Sequence, residues 1–73
     1  MTRQLHIVRS IGDSLALDVA RRQVTLGDEV RLVLVGAAVD ETVPPGSEAI
    51  RMATLEYDQL VQLMAWCERV VSW

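Results

Sequence analysis

The side chains able to do chemistry here are few. His6 is the single histidine and Cys67 the single cysteine, with 60 residues between them. A metal centre needs three or four ligands at compact spacing, so this pair points to no metal. His6 lies inside a short apolar run and reads as a hydrogen-bonded strand residue rather than a general base. Ser10 and Ser14 have no base beside them, and a Ser–His–Asp triad does not assemble from this inventory. Gly12 alone is not a phosphate-binding loop, and Asp13 beside it would repel a phosphate. No catalytic residue and no cofactor is expected. Cys67 is the one residue that could carry covalent chemistry. Its helical phase places it mid-face among Leu60, Met64 and Val71, where burial would make it an inert small hydrophobe. Trp66 and Trp73 suit binding better than catalysis. Each is either an interface anchor or a cap on the domain's own core.

These residues must be positioned by a small set of elements. Leu5-His6-Ile7-Val8 reads as a first strand. Gly12-Asp13-Ser14 offers a helix N-cap through Asp13 or Ser14. From Leu15 to Val24 the period is helical. Leu15, Ala16, Val19, Ala20, Gln23 and Val24 share one arc, and Asp18 and Arg22 are spaced for an exposed i,i+4 pair. Gly27 stands where a left-handed C-cap is wanted. Val30 to Val35 reads as a strand, and its Leu32, Val33, Leu34 and Val35 are apolar on both faces, as in a central strand. Strand, helix and strand with short links make a parallel βαβ unit. Residues 40–48, with Pro44-Pro45-Gly46, break the pattern. A third strand is expected around Ile50 to Leu55. Tyr57 to Val71 fits a final helix, with Gln59, Trp66 and Trp73 on one flank at steps of seven.

The chain has 73 residues, 51% hydrophobic and 23% charged, with a net charge of −3. That composition excludes intrinsic disorder. No apolar run approaches ~20 residues, so no spanning helix is expected. All seven basic residues are arginines, scattered from Arg3 to Arg69, and no basic stripe exists for nucleic acid. The opening Met1 to Leu5 lacks the pattern of a signal peptide, and one cysteine makes no internal disulfide. A cytoplasmic setting is expected. A chain of this size buries only about 60% of its unfolded surface. So much apolar content therefore suggests a dimer or larger assembly, with a dense monomer core as the alternative.

Two motifs resemble a known family. The pattern Tyr57-x3-Val61-x-Leu63-x9-Trp73 resembles the C-terminus of the DsrH/TusB family of sulfur-relay proteins. The opening Leu5-His6-Ile7-Val8-Arg9-Ser10 is similar to that family's start. The likeness spans roughly residues 5–39 and 50–73. This chain departs from the pattern by some twenty residues near 40–50, and Ala20 falls where some members carry a cysteine. The resemblance implies a trimmed DsrE-like layer. Residues 1–73 then form one α/β domain with a small three-stranded, mainly parallel sheet in βαβ-βα order and two covering helices. It further implies a non-catalytic accessory subunit of a sulfurtransferase complex. Its partners would be DsrE/TusD-like and DsrF/TusC-like subunits, and Tyr57, Trp66 and Trp73 its interface residues. The sulfur would end in tRNA 2-thiouridine or enter dissimilatory sulfur oxidation. Two other readings stay open: a homo-oligomeric scaffold or regulatory binding domain without sulfur chemistry, and a sulfurtransferase using Cys67.

Overall fold

The protein, seen in a computed structural model, is described at residues 2–10 and 14–73. In chain order it forms β1 (Arg3–Val8), α1 (Ser14–Thr25), β2 (Glu29–Val35), β3 (Glu48–Met52), α2 (Tyr57–Trp66) and β4 (Arg69–Ser72). The fold is α/β. One wholly parallel sheet runs in the order β3-β2-β1-β4, with one helix on each face. Strand alternation divides the core in two. Val8, Val30, Leu32 and Leu34 meet Ala16 and Ala20 of α1 on one face. Leu5, Ile7, Val33 and Met52 meet Leu60 of α2 on the other. The second helical crossover, from β3 to β4, runs back across the sheet. A right-handed connection in that direction must pass over the opposite face from α1.

The first βαβ unit follows the sequence reading closely. The helix covers the expected span, and its small residues Ala16 and Ala20 let it approach the sheet. It ends in a Schellman motif. The Asp28 N–H reaches the Gln23 carbonyl and the Gly27 N–H reaches that of Val24, both at 3.0 Å, with Gly27 at φ +91°. Asp18 pairs with Arg21 at 3.3 Å rather than with Arg22. Both partners are largely exposed, so the pair contributes little. The cap expected from Asp13 or Ser14 rests on side chains outside the described residues.

Two expectations need correction. The sheet has four strands, not three, because the final helix stops at Trp66. Residues 69–72 instead pair with β1, Leu5 opposite Val70 and His6 opposite Val71. The physical reason lies in β1, whose residues Leu5 to Val8 are at most 5% exposed. Without a neighbour beyond it, the outward amide and carbonyl groups of a buried strand would go unsatisfied. The third strand also begins earlier, at Glu48, directly after the Pro-Pro-Gly break. Between Val35 and Glu48 the chain crosses without an α-helix, through one 3₁₀ turn at Gly36–Ala38. Ala38 buries itself on the α1 face, and Val43 packs partly buried against the same core. Arg51 ties the crossover down by donating to the carbonyls of Val39 and Glu41 at 2.6 and 2.9 Å.

Candidate functional site

Three polar residues from three elements meet on the α1 face. His6 is fully buried in the middle of β1. Its Nε2 lies 2.6 Å from Oε1 of Gln23 on α1. Its Nδ1 lies 3.0 Å from Nε1 of Trp73, just beyond β4. An indole N–H only donates, so Nδ1 accepts and the ring proton sits on Nε2, which donates to Gln23. The two rings also stack, with centroids 6.0 Å apart and planes at 26°. The Trp73 backbone N–H reaches the Ile7 carbonyl at 2.9 Å and extends the β1–β4 ladder by one residue. Both imidazole nitrogens are thus committed to neighbours. The ring is held as a structural connector, not offered as a base or ligand.

A second cluster occupies the α2 face. Arg31 leaves the middle of β2 with its guanidinium carbon 4.0 Å from the Trp66 ring centroid. Its Nε meets Glu48 of β3 at 3.1 Å. Arg3 stands 5.9 Å from the same ring and donates to the Trp66 carbonyl at 3.4 Å. Two hollows flank Arg31. One, of about 250 Å³, is lined by Arg31, Ile50, Gln59, Gln62 and Leu63. The other, of about 220 Å³, shares Arg31 and is lined otherwise by residues that include Trp66, Glu29, Glu48 and Ser47.

The structure separates the residues expected to form one interface. Trp66 ends α2 on one face of the sheet, whereas Trp73 packs into the core of the other. The expected flank shared by Gln59, Trp66 and Trp73 does not exist, because no helix reaches Trp73. Tyr57, at the first turn of α2, is 73% exposed. Cys67 is not mid-face in a helix. It is the extended residue after α2, half-buried against the α2-side core, and its thiol donates to the Met64 carbonyl at 3.4 Å. With Leu60, Leu63 and Cys67 against the sheet and Gln59, Gln62 and Trp66 on the β2–β3 side, Tyr57, Val61 and Met64 fall on the flank toward β4. There Val70 joins them on the same face of the sheet, and all four are exposed.

Gln23 and Arg31 were the functional-site residues that sequence reasoning passed over. Their signals were present. Gln23 is a polar residue on an apolar arc, and Arg31 is a charge inside an apolar strand; each needs a partner when half-buried. Among the described residues no group of three or more His, Cys, Asp or Glu is placed to hold a metal ion. No helix among them is long and apolar enough to cross a membrane. No family model, curated protein or solved structure matches this chain.

Proposed function

We propose that this chain is an accessory subunit of a cytoplasmic sulfur-relay complex of the DsrH/TusB type, without a persulfide-carrying residue of its own. The observation that carries the reading is the His6–Trp73 pair. The two residues that anchor the resemblance, one near each end of the sequence, are hydrogen-bonded in a partly buried cluster. That gives the Leu-His opening and the final tryptophan a common physical purpose. Ala20, where some members carry a cysteine, is fully buried against the sheet, so a group there has no path to a partner protein. The partners are DsrE/TusD-like and DsrF/TusC-like subunits, one of which bears the sulfur on a cysteine. The exposed flank of Tyr57, Val61 and Met64, with Val70, is the surface available to them.

The test is co-expression with such subunits, followed by native mass spectrometry and a persulfide-transfer assay. A heteromer is expected, together with transfer that rises when this chain is present and persists with Cys67→Ala. A chain that forms only homo-oligomers would overturn the reading in favour of a scaffold. Transfer lost in Cys67→Ala, with the complex intact, would make Cys67 the carrier.

A further inference from the structure

We propose that the cleft between α2 and the β2–β3 side of the sheet binds a small organic monocarboxylate with a short apolar tail. This goes beyond the sulfur-relay reading and does not rest on it. The cleft of about 250 Å³ is lined by Arg31, Ile50, Gln59, Gln62 and Leu63. It is smaller than the usual range for drug-sized ligands, so the occupant is small.

Arg31 supplies the anion contact. Its guanidinium rests on Trp66 and is tethered through Nε to Glu48. Among the described residues its two terminal nitrogens have no ion-pair or hydrogen-bond partner. A stacked, tethered guanidinium has already lost most of its rotamer freedom, so less is lost when an anion binds. Its remaining fork matches the planar geometry of a carboxylate. Gln59 and Gln62, spaced i,i+3 on α2, are exposed and lack protein partners among the described residues. Their carboxamides add donors and acceptors at the same mouth. Ile50 and Leu63, both half-buried, form the apolar wall.

The charge balance selects among anions. Glu29 and Glu48 line the neighbouring hollow, not this one. Arg31, which borders both hollows, is therefore the one charged residue lining this cleft, with Glu48 paired to it from the neighbouring hollow. Glu48 already offsets part of that charge, and a phosphate dianion would be repelled by it more strongly than a monoanion.

The experiment is a titration of the ¹⁵N-labelled full chain with hexanoate, acetate, inorganic phosphate and hexylammonium. It is read at the Gln59 and Gln62 side-chain amides and at the two indole N–H signals. Hexanoate is expected to shift Gln59, Gln62 and Trp66 saturably and to leave Trp73, on the opposite face, unmoved. Acetate, lacking the tail that meets Ile50 and Leu63, should bind at least about tenfold more weakly. Arg31→Lys and Gln62→Glu should each weaken hexanoate at least about tenfold, the first by losing the planar fork and the second by repulsion. Both should keep the wild-type Trp73 signal as the mark of an intact fold. Shifts that never saturate, hexanoate affinity unchanged in Gln62→Glu, or phosphate binding as tightly as hexanoate would each overturn the proposal.

Discussion

At the scale of single residues, the His6 cluster concentrates the consequence of small changes. Trp73→Phe keeps an aromatic ring but removes the only donor to Nδ1 among the described residues. A buried acceptor left unpaired costs about 1–3 kcal/mol, so chemical denaturation should show a loss of that size. Gln23→Leu should cost a similar amount, because it strands the Nε2–H instead. The two variants combined should fall short of the sum of their single losses, since both act on one ring. Cys67 is expected to behave quite differently. It is half-buried, and a serine hydroxyl can take over its donation to the Met64 carbonyl. Cys67→Ser should therefore cost less than about 1 kcal/mol. A larger loss in the same unfolding measurement would mean that its packing against Leu60 and Leu63 matters more than its exposure indicates.

At the scale of elements, the tight point lies where the Pro-Pro-Gly break meets α1. Gly46 has φ +89°, and a Cβ built there would lie 2.7 Å from Cγ1 of Val24. Gly27 also has a positive φ, yet a Cβ there meets nothing within 4 Å. Both positions disfavour an L side chain by about 1–2 kcal/mol. Only Gly46 adds a clash with packed structure. Gly46→Ala should thus lower the melting temperature clearly more than Gly27→Ala, as differential scanning calorimetry would show. Equal effects would mean that the 36–47 crossover moves aside freely, despite the two carbonyls held by Arg51.

At the scale of the whole molecule, the fold is as compact as an ordinary monomer of its length, yet Leu15, Leu26, Tyr57, Val61, Met64 and Val70 stay exposed. The chain exposes 4514 Å², against about 4,500 Å² expected of a folded monomer of 8.1 kDa. Its radius of gyration of 11.1 Å also matches the roughly 11 Å of a compact domain of this length. Association is therefore not needed to complete a core. What drives it, in the proposed reading, is the local patch of Tyr57, Val61, Met64 and Val70 beside the open edge of β4. Val61→Arg should leave the unfolding free energy within about 0.5 kcal/mol of the wild type. It should weaken self-association or partner binding at least about tenfold, the loss expected when a charge is forced into an apolar contact. Sedimentation velocity distinguishes the cases. A sedimentation profile unchanged by the substitution would place the contact elsewhere.

Several features were legible in the sequence because they depend on neighbours along the chain. The period of residues 15–24, the glycine that ends that helix and the doubly apolar strand after it all reflect local sterics and one-dimensional patterning. Together they determined a parallel α/β layer. The fate of residues 67–73 was not local. Cys67 to Trp73 fits a helical period, yet its paired Val70 and Val71 suit a strand equally well. The unmet backbone groups of a buried β1 decided between them, and those groups lie more than sixty residues away. The same holds for the sites. His6 and Trp73 could be singled out one at a time, but their hydrogen bond spans 67 positions. Arg31 acquires its stacked, tethered pose only when β2, β3 and the end of α2 come together. Sequence spacing specified which element each residue would occupy. Only the strand order, with β4 beside β1 and β3 beside β2, determined which of them would touch.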